Sequence, residues 1–297
     1  MTDFKAIAAS LEERGFCVIP EFLSREEIDF LVADFEASPL PDNPIHVRKG
    51  RKEAYERMRP RMEAFAQEIT GTKAALYQMQ YFRTPGVSHS FHQDHDQFFM
   101  TEYNRTHLNS WIPLVKPSRT ELGLHLIPFD RLAEKSPRLF NLCRRSGASR
   151  LLSLRGGGTF YISDWSGVTW IEESLEVEEV METPEVGPGD MLLLRFNVIH
   201  ATQSKDRKWI HPIDAAKPVP GATQVSEDRR LAVALRTCDP ETPLDWHRVA
   251  ASHTPVKIHD LAFVSKGLNV TAFRHNRENN FGTTLGDIVP TLTGERE

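Results

Sequence analysis

Cysteine is scarce in this sequence of 297 residues, and this and other absences exclude several classes of protein. The three cysteines form no CxxC pair, which argues against a disulfide framework or a thiolate zinc site. No apolar run approaches the ~20 residues that span a bilayer, and the N-terminus lacks the apolar centre of a signal peptide. With 36 basic and 41 acidic residues, no positive excess favours nucleic acid. We therefore expect a soluble cytoplasmic protein with no nucleic-acid or membrane partner.

The first 72 residues have the apolar spacing of amphipathic helices. Gly15 is a good helix terminator, and Ser24 with Glu27 has the spacing of a capping box. The pattern predicts a helix over about 3–14, a buried strand at 16–20, a helix from Ser24 to about 37, a loop at 38–50 and a helix over about 53–70.

From residue 75 onward, short β-rich runs alternate with turn residues. The predicted strands include 76–82, 108–115, 122–127, 159–162, 191–198 and 231–237. Many short strands without regular intervening helices predict a mainly β (α+β) fold: a double-stranded β-helix, or cupin-like jelly roll, with N-terminal helices. We expect one domain over residues 1–297, with a helical part at 1–72, the jelly-roll core at about 75–240, and an extension at 241–297 that has no role beyond packing.

The densest group of potential metal ligands runs from His89 to Asp96. On an extended segment, His92 and Asp94 point to the same side and can offer an imidazole and a carboxylate to one ion. A third ligand is predicted at His200, which closes an apolar run that follows a Gly-Asp turn. His92, Asp94 and His200 would form the facial triad of a non-haem Fe(II) site, with coordination positions left open. Taken singly, His200 is more typical of a hydrogen-bonded core or rim histidine than of a ligand, and a lone His-x-Asp pair is a weak signal, so the prediction depends on their order and context.

An arginine at the start of the last predicted strand is a candidate carboxylate ligand. If residues 230–236 alternate, Arg230 and Arg236 share one face with two small alanines, which leave room for a ligand. Arginine's rigid fork suits a carboxylate. The hydroxyl of Thr202 and the amide of Gln80, like that of Gln78, are further polar candidates. A solvated strand edge explains these residues about as well, and Arg236 suits either an anionic substrate or an ordinary surface position.

Taken in order, these segments resemble the phytanoyl-CoA dioxygenase family of Fe(II)/2-oxoglutarate-dependent oxygenases, over about residues 11–240. The similar segments are residues 12–20, 23–27, 92–94, 108–114, 123–128 and 189–202. The resemblance implies that Fe(II) is bound by His92, Asp94 and His200, and that 2-oxoglutarate chelates the iron and places its distal carboxylate on Arg230. It further implies O2-dependent hydroxylation of a small molecule, with release of succinate and CO2.

Three features depart from the family pattern. Phe129 and Asp130 replace the usual turn after Pro128. Residues 201–229 lengthen the connection before Arg230, as a lid or a surface loop, and leave Arg229 as an alternative anchor. The extension at 241–297 lies beyond the resemblance. Asp94 agrees with the family and disfavours halogenation, because related halogenases have a small residue there.

Two other functions stay open at this stage. A cupin-like enzyme that uses Zn, Mn or Fe without 2-oxoglutarate would need no arginine, and a non-catalytic jelly-roll binding protein would need no metal. The substrate, the choice between hydroxylation, desaturation and ring formation, and the oligomeric state are not predicted by the sequence.

Overall fold

The N-terminal helices begin and end at the residues that the sequence marks. In the computed structural model, which describes residues 2–37, 46–84, 88–89, 91–93, 106–145, 150–155, 159–164, 170–203, 209–210 and 230–242, the helices are α1 (Phe4–Glu13), α2 (Arg25–Ala37), α3 (Lys52–Thr70), α4 (Phe129–Lys135), α5 (Pro137–Arg145) and α6 (Val177–Val180). Ser24 and Glu27 form the predicted reciprocal cap, with N–H···O distances of 2.8 and 3.2 Å. Gly15 and Gly71 follow α1 and α3 at φ of +81° and +70°. The three predicted N-terminal helices are confirmed.

Thirteen strands lie in the described residues. They are β1 (Phe16–Ile19), β2 (His46–Lys49), β3 (Ala75–Thr84), β4 (Ser88–His89), β5 (Leu108–Val115), β6 (Leu124–Ile127), β7 (Arg150–Arg155), β8 (Thr159–Asp164), β9 (Trp170–Ser174), β10 (Met191–Arg195), β11 (Ile199–Thr202), β12 (Trp209–Ile210) and β13 (Arg230–Cys238). β1, β10, β5, β13, β3 and β2 form one antiparallel sheet in that order, β11 pairs with β6, and β7, β8 and β9 form a third sheet.

The six-stranded sheet includes two strands from the N-terminal part of the chain. β1 pairs with β10 at one edge, and β2 pairs with β3 at the other. The prediction of a loop throughout 38–50 is therefore wrong at 46–49. β3 extends to Thr84 and would have an unpaired edge of backbone N–H and C=O groups without a neighbour on that side. β2 forms hydrogen bonds with part of this edge.

The two faces of this sheet have different neighbours. Leu231, Val233 and Leu235 on β13 pack with the apolar side chains of α1, α2 and α3. Ala232 lies on the opposite face and packs in a second cluster with Trp111 and with side chains of β6 and β10. The alternation predicted for residues 230–236 is confirmed, and the space between the large sheet and the β6–β11 pair is the interior of a jelly roll. The predicted fold class is confirmed.

The strand predicted over 191–198 is broken. β10 ends at Arg195, and Val198 N–H donates to the carbonyl of Arg195 at 3.1 Å to form a turn. The chain leaves the large sheet at this turn and enters the two-stranded sheet, so His200 lies within β11 and does not close the preceding strand. In place of the turn that is usual in the family after Pro128, helix α4 begins at Phe129 and Asp130.

Several sequence features lie outside the described residues. Asp94 and Arg229 are among them, as are all but a few residues of the 201–229 insertion and all of the C-terminal extension after Thr242. Within the described part, no disulfide joins the three cysteines, and no helix has the length and apolarity needed to cross a membrane.

Candidate metal centre and anion pocket

Strand β11 directs His200 into the interior. Across the ladder, His200 lies opposite Leu126, and Thr202 lies opposite Leu124. Directly opposite residues share a face of a sheet, and both leucines belong to the interior cluster. Ile199 is on the other face and packs toward α4 and α5. His200 and Thr202 therefore face the space between the two sheets. This is the orientation that the predicted metal ligand, His200, and the predicted polar contact, Thr202, would need.

His92 is next to His200 despite the long chain separation. Each residue donates its backbone N–H to the other's carbonyl at 2.9 Å, which forms an isolated antiparallel bridge. The ring centroids are 4.5 Å apart with an interplanar angle of 50°. Both side chains are buried. Two imidazoles at this separation can bind one ion with a nitrogen each.

Hydrogen bonds around His200 determine which ring nitrogen can bind a metal. Nδ1 of His200 lies 3.0 Å from the carbonyl oxygen of Val198 and donates to it, so the lone pair for a metal is on Nε2. Gln93 Nε2 donates to the carbonyl of Asn197 at 2.5 Å. That bond joins the residue after His92 to the turn before β11, so both histidines are positioned from the same turn.

The third predicted ligand, Asp94, lies outside the residues that the structure describes. Among the described residues, no group of three or more His, Cys, Asp or Glu side chains is arranged to hold a metal ion. The structure brings two of the three proposed ligands together, and the metal-binding role of His92, Asp94 and His200 stays a prediction.

Arg230 is a buried cation in the described part of the structure. Its side chain is 4% exposed, and its Nη1 donates to the carbonyls of Leu122 and Gly123 at 3.2 and 3.1 Å. Burial lowers the pKa of the guanidinium to about 10. No carboxylate of the described residues forms a salt bridge with it, and its buried Nε has no hydrogen-bond partner there. A buried charge in this state is costly unless an anion binds.

The loop that receives Arg230 is strained and carries further positive charge. Leu122 has φ of +53°, a left-handed conformation that costs about 1–2 kcal/mol for a residue with a Cβ. Lys116 donates to the carbonyls of Arg119 and Val186 at 3.1 and 2.7 Å. Burial, and then the charges of Arg230 and Arg119, lower the pKa of Lys116 to about 8. This end of the interior therefore favours an anion.

A short path connects the histidine pair with Arg230. Gln203 N–H donates to the same Gly123 carbonyl that receives the guanidinium. Three residues of extended chain, ~10 Å, separate His200 from Gln203, and Thr202 lies on this path. A ligand that contacts both ends would be a short molecule with an anionic terminus.

Gln80 lies on the interior face of the large sheet. It is buried and lies opposite Ala234 in the ladder, so the alternative of a solvated strand edge is wrong for both Gln80 and Arg230. Gln80 is on the inner face beside Ala234, and its role in binding a cosubstrate stays a prediction.

Two features of this site were not assigned a role from the sequence. Trp111 lies opposite Ala234, and the Cζ atom of Arg230 is 5.7 Å from its ring centroid, which is within range of a cation–π contact. The backbone carbonyls of Leu122 and Gly123 hold the guanidinium. A tryptophan in a buried strand is an ordinary core residue by sequence, and a carbonyl ligand has no side-chain signature.

Comparison with solved structures places this fold among known enzymes. The epimerase SnoN, in complex with Fe3+, alpha ketoglutarate and nogalamycin RO, has a TM-score of 0.51 at 13% identity, and the match covers 85% of this chain and 90% of SnoN. EctD from S. alaskensis, with 2-oxoglutarate and 5-hydroxyectoine, has a TM-score of 0.50 at 15% identity over 82% of this chain and 78% of EctD. The carbocyclase SnoK from nogalamycin biosynthesis has a TM-score of 0.50 at 13% identity, with coverage of 81% and 86%.

These likenesses show that the chain has the jelly-roll fold of non-haem, 2-oxoglutarate-dependent enzymes. The SnoN structure contains Fe3+ and alpha ketoglutarate, and the EctD structure contains 2-oxoglutarate. No protein-family model matches the sequence, and no curated protein is significantly similar to it. The narrower resemblance to phytanoyl-CoA dioxygenases stays a prediction.

Proposed function

We propose that this protein is an Fe(II)- and 2-oxoglutarate-dependent oxygenase that hydroxylates a small molecule and releases succinate and CO2. The observation that carries the proposal is the His92–His200 bridge, which places two buried imidazoles 4.5 Å apart inside the jelly roll. The shared fold with SnoN, SnoK and EctD supports it.

The donor set fits a ferrous ion with a bidentate cosubstrate. His92 and His200 would supply two nitrogen ligands, and Asp94, two residues after His92, would supply the carboxylate of a facial triad. Arg230 would bind the distal carboxylate of 2-oxoglutarate, with Thr202 and Gln80 as further polar contacts. When bound, iron and 2-oxoglutarate together activate O2 for attack on a C–H bond.

The chain's own residues orient these groups and exclude water. The Val198 carbonyl holds His200 in the tautomer that presents Nε2. Leu122 and Gly123 hold the guanidinium of Arg230 from the side of the loop. The wall of the interior is apolar and includes Trp111, Leu124 and Leu126. Electrostatic contacts in apolar surroundings are stronger than in water.

The buried arginine also distinguishes the alternatives. A cupin-like metalloenzyme that uses no anionic cosubstrate has no need of a buried guanidinium. A non-catalytic binding protein would not require a histidine tautomer suited to metal binding. Both observations favour the oxygenase, and direct measurement separates the three.

The test is an anaerobic titration of Fe(II) and then 2-oxoglutarate, followed by the visible charge-transfer absorption of the iron–cosubstrate complex. We expect the band in the wild type and its loss in His200→Gln. His125→Gln is a matched control, because His125 lies one ladder position from His200 but on the opposite face, where its Nδ1 is 2.6 Å from the Thr183 hydroxyl. A wild type that binds iron without the band supports the cupin-like enzyme, and one that binds no iron supports the binding protein.

A further inference from the structure

Arg236 lies at the end of the interior where the histidine pair is found. It is opposite Asn109 of β5, and Asn109 is opposite Leu194 of β10. β10 ends one residue later, and its turn leads directly to His200. Arg230 is six residues away on the same face of β13, ~20 Å along an extended strand. The two arginines therefore lie at opposite ends of one face.

The face around Arg236 is polar although it is buried. Arg236 is 9% exposed, and Gln78, Gln80 and Asn109 are buried with it. Arg236 lies opposite both Gln78 and Asn109, and Gln80 lies opposite the neighbouring Ala234, so all of them project to the same side. Trp111 lies on the other side of Ala234 from Gln80, and Ala232, nearer to Arg230, packs with Trp111 in the apolar cluster.

Gln78 orients the Arg236 guanidinium. Nη1 of Arg236 donates to Oε1 of Gln78, which fixes the plane of the group. A guanidinium has five N–H donors in a rigid fork that matches a carboxylate or phosphate. Arg236 and the three amides form a buried polar group next to an apolar cluster on the same face. Ala234 lies on the same face between Arg236 and Ala232.

We propose that Arg236 binds an oxyanion of the substrate, a carboxylate or a phosphate, and that Gln78, Gln80 and Asn109 contact other polar groups of the same molecule. This proposal rests on the proposed function and adds the substrate class: a small polar anion, and not an aliphatic or neutral compound. The two arginines then have separate ligands. Arg230 binds the cosubstrate at one end, and Arg236 binds the substrate at the end that holds the metal ligands.

The test uses pairs of compounds that differ only in the anion. The panel contains N-acetyl amino acids with their amides and sugar monophosphates with the free sugars. Binding to the full chain loaded with Ni(II) and 2-oxoglutarate is measured by calorimetry, and succinate release is measured with Fe(II). We expect at least one anionic member to bind and to stimulate succinate release about 30-fold more strongly than its neutral partner, the scale of one buried charge pair. Comparison of the N-acetyl amino acids with the sugar monophosphates shows whether the site binds a carboxylate or a phosphate.

Variants connect that preference with Arg236. Arg236→Met should lose about 30-fold in affinity for the anionic member, Arg236→Lys should recover part of it, and Arg25→Met, whose side chain is 82% exposed, should bind as the wild type does. The Fe(II)–2-oxoglutarate absorption band reports that each variant is folded.

Three results would overturn the assignment of Arg236: neutral members that bind as well as the anions, no anionic member that binds the wild type, or unchanged anion affinity in Arg236→Met. Failure of the proposed oxygenase function is separate, since it appears as a missing absorption band in the wild type, while calorimetry on the full chain without metal or cosubstrate still measures the anion preference.

Discussion

At the scale of single residues, Arg230 shows most clearly what the interior is built to bind. Among the described residues, its buried guanidinium contacts two carbonyls and an aromatic ring and forms no ion pair, and burial lowers its pKa to about 10. The charge is retained at a cost, which is the pattern expected when an anionic ligand completes the site.

We therefore expect Arg230→Met to weaken 2-oxoglutarate binding by about 2–5 kcal/mol, or roughly 30- to 3,000-fold in Kd. Arg230→Lys should recover only part of this loss, because a lysine binds a carboxylate as a point charge. Calorimetry with Ni(II)-loaded protein measures both affinities. Arg25→Met controls for a general loss of positive charge. If Arg230→Met bound 2-oxoglutarate with wild-type affinity, another residue would have to bind the distal carboxylate, and Arg229 would be the first candidate.

Lys116 gives the site a pH dependence. Its pKa is lowered to about 8, by burial and then by Arg230 and Arg119, while Asp190 and Glu121 act in the opposite direction. Below that pH the ammonium adds positive charge beside Arg230, and above it the charge is lost. Affinity for 2-oxoglutarate should fall as the pH rises through about 8, by up to about fivefold because the group is partly exposed.

Lys116→Met should remove that step and bind at every pH as the wild type does above the lysine pKa. Binding isotherms one pH unit on either side of about 8 provide the measurement. An equally steep pH dependence in Lys116→Met would show that another group controls it.

The residues of the proposed metal site are more predictable from the sequence than those around them. His92 stands out in the sequence because it forms a His-x-Asp pair with Asp94, and His200 because it follows a Gly-Asp turn and an apolar run. The structure brings the two histidines together. Trp111 and the strained Leu122 have no such signature, because their contribution depends on which strands become neighbours. Burial of Arg236 is likewise a property of the sheet and not of its local sequence.

At the scale of elements, the turn from residue 195 to 198 connects the end of the N-terminal helix with His200 of the proposed metal site. Gly15 accepts a hydrogen bond from Arg195 N–H at 2.8 Å, and a Cβ built on Gly15 would lie 2.4 Å from Cγ2 of Val198. Val198 in turn accepts the Nδ1 proton of His200. A side chain at position 15 would therefore displace Val198, which orients the His200 ring.

Gly15→Ala should cost about 2–4 kcal/mol of stability, from the left-handed φ and from overpacking, and should also weaken Ni(II) binding. Gly71→Ala is the matched control, since Gly71 also follows a helix at positive φ but has nothing within 4 Å of its added Cβ. That variant should lose only about 1–2 kcal/mol and bind metal normally. Urea unfolding and metal titration measure the two effects, and equal losses in the two variants would contradict this coupling.

Elements with local signals are predicted well, and those that depend on partners are not. The capping box and the terminal glycines locate the N-terminal helices to within a residue or two. β2 was missed because an edge strand of four residues is stabilised by β3 and has little signal of its own. The break between β10 and β11 was missed because an apolar run continues on both sides of it.

At the scale of the whole molecule, the two layers of the jelly roll contribute different parts of the site. His200 belongs to the β6–β11 pair, and Arg230 belongs to the six-stranded sheet. The sequence predicts an antiparallel layered core, because short strands with turn signals have few other ways to bury their faces. It does not predict which strands pair, since registers depend on long-range contacts. That pairing decides which residues face the interior.

Because the ligands of the proposed complex lie on both layers, metal and cosubstrate should stabilise the protein cooperatively. A ligand at 100 times its Kd adds about 2.7 kcal/mol to folding, or about 5–10 °C in Tm for a chain of this size. We expect Ni(II) alone to give a moderate shift, 2-oxoglutarate alone almost none, and the pair more than the sum, since the cosubstrate needs both the ion and Arg230. In Arg230→Met the shift from Ni(II) should persist and the added shift from 2-oxoglutarate should disappear, as measured by thermal unfolding. If 2-oxoglutarate raised the Tm of both proteins equally without metal, its binding site would have to lie elsewhere than between the two layers.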